Sequence, residues 1–142
     1  MTVQSARSIS LPCDAGQDLP QRRFVAYSAT GCVLPADGGG AAQEGDVIGV
    51  SLEAYDDSEF ALGNASNVIP VALLDGAVLE VEAGAEAITV GAAVSTDGSG
   101  RAKPADATGD EILGVAKTAV GAMEAGTIIE VIAQKAGRSA TT

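Results

Sequence analysis

Apolar and polar positions alternate in short bursts along this chain, and glycine, aspartate or serine closes almost every burst. The densest stretch runs from Val81 to Val131. There Ala92-Ala93-Val94-Ser95, Ile112-Leu113-Gly114-Val115 and Ile128-Ile129-Glu130-Val131 are separated by turn-forming residues, the pattern of short strands joined by tight connections. Asp97-Gly98-Ser99-Gly100 between two such runs predicts a hairpin, because Asp-Gly supplies the positive φ angles that a tight turn needs. Val78-Leu79-Glu80-Val81-Glu82 alternates cleanly, which predicts Leu79 and Val81 inward and both glutamates outward.

The same reading extends to the rest of the chain. Arg22 to Tyr27, Gly31 to Pro35, Val47 to Leu52, Val68 to Leu74 and Thr127 to Gln134 are expected strands. Gly49 inside one of them predicts a bulge or a close backbone approach, and Pro70 predicts that its strand lies near a sheet edge. Asp75-Gly76 reads as a second hairpin turn. Asp56-Asp57-Ser58-Glu59 could open a short helix with acids at its positive end. The expected fold is mainly β: a small β-barrel or β-tulip-like domain over residues 22–135, with at most one or two short helices. An extended N-terminal arm (residues 1–21, with Pro12 and Pro20) would precede it, carrying at most a short strand around Ile9. A flexible tail (residues 136–142) would follow.

There is also an internal echo. Leu34-Pro35-Ala36-Asp37, Gly45-Asp46-Val47-Ile48-Gly49-Val50 and Ile69-Pro70-Val71-Ala72 form one series. Lys103-Pro104-Ala105-Asp106, Gly109-Asp110-Glu111-Ile112-Leu113-Gly114-Val115 and Ile129-Glu130-Val131-Ile132 form another, in the same order. Two copies of one hairpin-rich unit would account for it, and packing them into a closed body would remove exposed sheet edges.

Composition narrows the class. The 142 residues suit one domain, and with 46% apolar but only 3% aromatic residues the core must be aliphatic. The 18 glycines favour turns over long helices. A net charge of −11 argues against direct binding to nucleic acid or to anionic membranes. No Lys or Arg falls between Arg23 and Arg101, so a slightly basic start precedes a strongly acidic body. No apolar run approaches the roughly 20 residues of a membrane span. The first residues lack the apolar stretch of an export signal, so Cys13 and Cys32 are expected as free, buried thiols rather than a disulfide.

Candidate chemistry is sparse. The chain has no histidine, which excludes Ser-His and Cys-His nucleophile pairs. Two separate cysteines do not make a zinc site. The calcium-loop pattern beginning at Asp97 fails, because Thr108 stands where an acid is required. Gly38-Gly39-Gly40 is followed by no Gly-Lys-Ser/Thr. A biotinyl or lipoyl carrier is also a small β domain, but its lysine normally follows Met or an acid in a hairpin. Lys103, Lys117 and Lys135 follow Ala102, Ala116 and Gln134. The expectation is a protein that is not an enzyme and that carries no cofactor or metal.

Gly84-Ala85-Glu86-Ala87-Ile88-Thr89-Val90-Gly91-Ala92-Ala93-Val94-Ser95-Thr96-Asp97-Gly98-Ser99-Gly100, the later Ile112-Leu113-Gly114-Val115-Ala116 and Gly126-Thr127-Ile128-Ile129-Glu130-Val131, and the earlier Arg22-Arg23-Phe24-Val25-Ala26-Tyr27 resemble the small capsid decoration, or cement, proteins of tailed bacteriophages. The resemblance implies a structural virion protein on the outer surface of a phage head, made in the host cytoplasm. It implies contact with the major capsid protein at junctions between capsomers, often as a homotrimer, stabilising the head against the pressure of packed DNA. Two alternatives are another virion surface module, such as a tail or fibre part, and a small carrier or ligand-binding domain. An acidic body would be repelled by an acidic shell. The docking residues are therefore expected in the non-acidic start: Ile9 and Leu11 as apolar anchors, Arg7, Arg22 and Arg23 as charge partners.

Overall fold

The computed structural model describes residues 7–14, 16–39 and 47–139. Ten strands and one short helix occur among them: β1 (Ser8–Pro12), β2 (Phe24–Tyr27), β3 (Cys32–Val33), β4 (Val47–Ser51), α1 (Asp57–Ala61), β5 (Val68–Leu73), β6 (Asp75–Glu82), β7 (Ala93–Thr96), β8 (Ala102–Pro104), β9 (Gly114–Ala116) and β10 (Ile128–Gln134). They form two five-stranded sheets, ordered β1-β5-β4-β2-β3 and β6-β10-β9-β7-β8. Every strand pair is antiparallel. The mainly β fold read from the sequence is therefore the observed one.

The two orders are one order. Replacing β6–β10 by β1–β5 in sequence turns the second into the first, so each half of the chain folds as a unit of the same topology. The match extends to single residues. Gly49 pairs with Leu73 and Val50 with Ala72, while Gly114 pairs with Ala133 and Val115 with Ile132. A lone parallel bridge joins Cys13 to Cys32 and another joins Ala83 to Ala102, in each case bringing the end of a unit's first strand to its third. The antiparallel bridge Leu19–Tyr55 is repeated as Ile88–Val120. The echo in the sequence thus reflects a duplicated fold.

Gly49 and Gly114 show why this pattern needs glycine. A Cβ on Gly49 would lie 2.0 Å from the Ala72 carbonyl oxygen, and one on Gly114 would lie 2.4 Å from that of Ile132. Both values are below any van der Waals contact, and in each case the neighbour is backbone that belongs to a ladder.

The inner positions of each sheet are aliphatic. In the second unit β10 alternates strictly, with Ile129, Val131 and Ala133 buried and the residues between them exposed, and β6 places Leu79 and Val81 inward as expected. In the first unit Leu19, Val25, Tyr55, Ile69 and Val71 close a smaller core with Cys13 and Cys32. The first sheet is also apolar on its outer wall. Phe24, Val47, Val50 and Ala72 are buried in the same cluster as the core of the second unit.

Several expectations change. Residues 8–12 are not an arm apart from the body: β1 pairs along its whole length with β5, from Ser8–Ala72 to Pro12–Val68. Leu19 is 1% exposed and packs in the first unit's core. Val68–Leu73 lies between β1 and β4 rather than at an edge, and Pro70 is accommodated with its carbonyl accepting the Leu52 N–H at 3.0 Å. Asp75-Gly76 is no hairpin, because β5 and β6 belong to different sheets; Gly76, at φ 101°, carries the crossing between units. The Asp97–Gly100 hairpin is present, but its positive φ falls on Gly100. The Asp97 carboxylate accepts the N–H groups of Ser99 and Arg101 instead. In the segment expected as a tail, residues 136–139 are bonded to the body. Ala136 donates to the Ile112 carbonyl and Ser139 to that of Asp110. Residues 140–142 lie outside the described residues.

Gly49→Ala and Gly114→Ala should each destabilise the protein by about 3 kcal/mol or more, since a ladder must shift to admit one methyl group. Urea unfolding of the two variants measures this. A loss below about 1 kcal/mol at either site would show that the ladder moves aside easily.

Candidate interaction surfaces

The seam between the two units is polar where their main chains run together. Phe24 N–H donates to the Gly100 carbonyl at 2.7 Å and Glu82 N–H to that of Arg22 at 2.9 Å. Gly38 N–H donates to Thr96 at 2.8 Å, and its carbonyl accepts from Glu111 at 2.8 Å. Glu82 is the charged centre of the seam: one of its oxygens takes Arg23 of the first unit at 2.8 Å and Arg101 of the second at 2.7 Å. Arg23 also donates to the Ser99 carbonyl at 2.9 Å. Lys103 reaches across to Asp37 at 3.1 Å and to Asp110 at 3.5 Å. Burial alone would lower the Lys103 pKa, but its bonds and charge contacts with the two carboxylates outweigh that and raise it.

The residues expected to dock on a shell meet different fates. Arg23 is 8% exposed and engaged inside the seam, so it is not available to a partner; its neighbours in sequence gave no sign of Glu82. Ile9 and Leu11 are half-buried in β1, opposite Val71 and Ile69. Leu11 packs against the first unit's core, so as an anchor it is already largely used. Arg7 is exposed and lies 3.4 Å from Asp75. Arg22 sits 3.7 Å from Glu80, beside a shallow depression lined by Gln21, Ser51, Leu52, Val78 and Leu79. The structure places Ile9 and Leu11 on β1 with Arg7 just before it, and Arg22 and Arg23 just before β2.

Arg22 has a backbone peculiarity. Its φ is 60°, a left-handed conformation that costs any residue with a Cβ free energy. The corresponding residue of the second unit is Gly91, at φ 87°. Each donates its N–H at 2.8 Å to the last residue of the unit's fourth strand, Ser51 or Ala116. An arginine thus stands where the repeated fold elsewhere uses glycine.

A surface that sequence reading missed lies on the second unit. Val78, Val115, Ile128 and Ile132 point outward from its sheet and are 44%, 41%, 38% and 42% exposed. Ile112, Val115, Ile132 and Ala136 border a shallow apolar groove there. The signal was present: in Ile128-Ile129-Glu130-Val131-Ile132 the outward phase of the alternation also carries isoleucines.

Other marked groups have structural roles. Asp56 caps α1, accepting the Ser58 and Glu59 N–H groups, and bonding to Ser58 and Glu59 holds its carboxyl below the ordinary value. Asp57 accepts the Tyr55 hydroxyl at 2.7 Å and the Gly16 N–H at 2.8 Å, which lowers its pKa and raises that of Tyr55 to about 12. Cys13 and Cys32 are buried free thiols with sulfurs 3.9 Å apart. Burial, helped by Cys32 and Asp14, pushes the Cys13 thiol up to about 12. The second unit puts Ala83 and Ala102 in their places. Among the described residues no group of three or more acids or cysteines is placed to hold a metal. No described helix is long and apolar enough to cross a membrane.

The class that the fold defines is a tandem pair of five-stranded antiparallel units. No family model matches the chain, and no curated protein matches it. Among solved structures it is similar to the N base of the head fiber protein gp8.5 of bacteriophage phi29. The identity is 16%, with 94% of this chain and 99% of that one covered at a TM-score of 0.61. At that identity the likeness is one of fold.

Glu82→Gln should cost about 2–3 kcal/mol, because two guanidinium groups in the seam then face a neutral amide. The melting temperature and the urea midpoint measure it. A change within about 0.5 kcal/mol, as for an ordinary surface position, would contradict the role given to Glu82.

Proposed function

We propose that this chain is a structural protein of a bacteriophage virion, carried on the outer surface of the head. The observation that carries the reading is the likeness of nearly the whole fold to the base of a phage head fiber. The sequence resemblance to decoration proteins supports it separately. In the finer form of the proposal the protein is a homotrimer that binds junctions between capsomers of the major capsid protein and stabilises the head. It does so without catalysis, cofactor, nucleic acid or membrane. The same likeness favours a second form, in which the two units are the anchoring base of a surface fibre. The position and copy number of the chain on a particle separate the two.

The physics of such a role is linkage. A protein that binds the assembled shell and not its separated subunits stabilises the shell by RT ln(1 + [L]/Kd). Several contacts per assembly add through effective concentration. A rigid aliphatic core and a net charge of −11 keep the free protein folded and soluble until it docks.

Deleting residues 2–20 would remove β1 and buried Leu19, so lost binding would report unfolding. Arg22 is the better probe. Arg22→Gly should leave stability within about 1 kcal/mol, since glycine suits the backbone there. It should weaken binding to undecorated heads at least about tenfold, as losing a charged contact of about 1.4 kcal/mol would. Sedimentation of the protein with heads measures the binding. Heads that bind neither the parent nor the variant would overturn the proposal, and equal binding by both would remove Arg22 from the contact.

A further inference from the structure

The outer face of the second sheet is ordered in rows. Val78 stands opposite Ile132, and Ile132 opposite Val115, so three exposed aliphatic side chains form one row across β6, β10 and β9. Side chains two residues apart in a strand share a face. The next row is therefore Glu80 directly opposite Glu130, with Lys117 beyond, whose N–H donates to the Glu130 carbonyl at 2.9 Å. In the first unit the same two rows are Ser8, Ala72 and Val50, then Ser10, Pro70 and Leu52. Val50 and Ala72 are buried in one cluster with Leu79, Val81, Ile129 and Val131 of the second unit. The repeated fold thus covers these two positions in one unit and leaves Ile132 and Val115 open in the other. Where they are open, they are bordered by two glutamates that the first unit lacks.

As they stand, the two glutamates are an unfavourable pair. The Glu130 carbonyl turns toward β9, so Glu130 and Glu80 exchange no main-chain bonds, the kind of pair whose side chains come closest. Like charges directly opposite each other destabilise a sheet. Each has one cation on its outer side, Arg22 at 3.7 Å from Glu80 and Lys117 at 3.9 Å from Glu130, both beyond hydrogen-bond length. A cation seated between the two carboxylates would relieve the repulsion. The chain uses that arrangement elsewhere: Lys103 serves Asp37 at 3.1 Å and Asp110 at 3.5 Å. A second copy of this chain has no spare Lys or Arg to bring. Each of its eight already meets a carboxylate or, for Arg138, the Gly109 carbonyl.

The occupant must also satisfy its own main chain, because a sheet face offers side chains while its main-chain bonds run between strands. A helix does so within itself. Three strands span about 10 Å, which matches the width of one helix, about 10–12 Å. We propose that the outer face of the second sheet receives an amphipathic helix of another protein. Its apolar stripe would lie on Val78, Ile132 and Val115 and in the groove beside Ile112 and Ala136. A Lys or Arg at the border of that stripe would bridge Glu80 and Glu130. The inference stands apart from the virion reading, because it rests on the second sheet alone and its test uses no heads.

The probe is a fluorescently labelled synthetic helix of about 18 residues, with leucines at i, i+3, i+4 and i+7 spacing and lysines elsewhere. Anisotropy should show saturable binding with a Kd below about 1 mM, and a peptide of the same composition in scrambled order should bind at least about tenfold more weakly. Amide shifts of isotope-labelled protein should move on β6, β9 and β10. Glu80→Gln with Glu130→Gln should weaken the helix at least about tenfold, while the melting temperature stays at or above the parent's because a like-charge pair is gone. Glu59→Gln with Glu86→Gln is the control: it removes the same charge from α1 and from the loop after β6, and should weaken binding less than about twofold. Ile132→Thr with Val115→Thr keeps β-branched residues in exposed strand positions, and should also cost at least about tenfold. Absence of saturable binding, shifts centred on another face, or a loss at Glu80 and Glu130 no larger than the control's overturns the proposal. Sedimentation of the parent and of the Ile132→Thr, Val115→Thr variant reads the other occupant. A chain that self-associates through these residues and does not take the helix gives the wall to a second copy, and overturns the proposal too.

Discussion

Phe24 belongs by sequence to the first unit and by packing to the second. It is the largest of the fully buried side chains, and it lies in the cluster formed by Leu79, Val81, Ile129 and Val131. Its burial answers a difficulty built into the chain. The first sheet is apolar on both faces, with Val25, Ile69 and Val71 on one and Phe24, Val47 and Val50 on the other. A five-stranded sheet cannot hide both faces by itself. The second unit hides one of them, and the hydrophobic gain from that wall holds the two halves together. The polar seam then fixes how they meet. Glu82 draws one arginine from each side, and the main-chain bonds around Gly38 and Gly100 leave little freedom of register.

Duplication explains many residues that otherwise look unrelated. Gly49 and Gly114 allow the same close approach, and the bridge pairs Cys13–Cys32 and Ala83–Ala102 occupy the same place. The cysteines therefore read as small buried side chains, interchangeable in kind with alanine, and not as a redox pair. Where the units differ, the difference points to use. Arg22 replaces a glycine at a left-handed position. Val115 and Ile132 stay exposed where Val50 and Ala72 are buried.

Much of the fold was legible because strand alternation and turn chemistry are local. Val78 to Glu82 showed its two faces directly, and Asp97 to Gly100 showed its hairpin. The capped helix at Asp57–Ala61 was visible in Asp56-Asp57-Ser58-Glu59. The repeat was visible in Gly49-Val50 and Gly114-Val115. What stayed hidden depends on partners distant in sequence. Ser8-Ile9-Ser10-Leu11 alternates and allowed a short strand around Ile9, but its place in the body was hidden, because only the ladder with β5 puts it there. Pro70 pointed to an edge, but β1 supplies a further strand outside it. Arg23 read as a surface charge because Glu82, 59 residues away, is adjacent only after folding. The exposure of Ile132 was hidden, because an aliphatic residue in a strand carries no label for which face is covered.

The functional account joins two lines of different kinds: a pattern of glycines and aliphatics like that of decoration proteins, and a backbone like the base of a head fiber. Both support the proposal of a place on the outside of a phage head, and a rigid, acidic, duplicated β body would suit that place physically. The most direct measurement is electron cryomicroscopy of the particle that carries this chain. The account predicts density for paired five-stranded units standing on the outer face of the shell, in contact with the major capsid protein. Particles whose shells lack such density, with the chain absent or located in the tail, would contradict it.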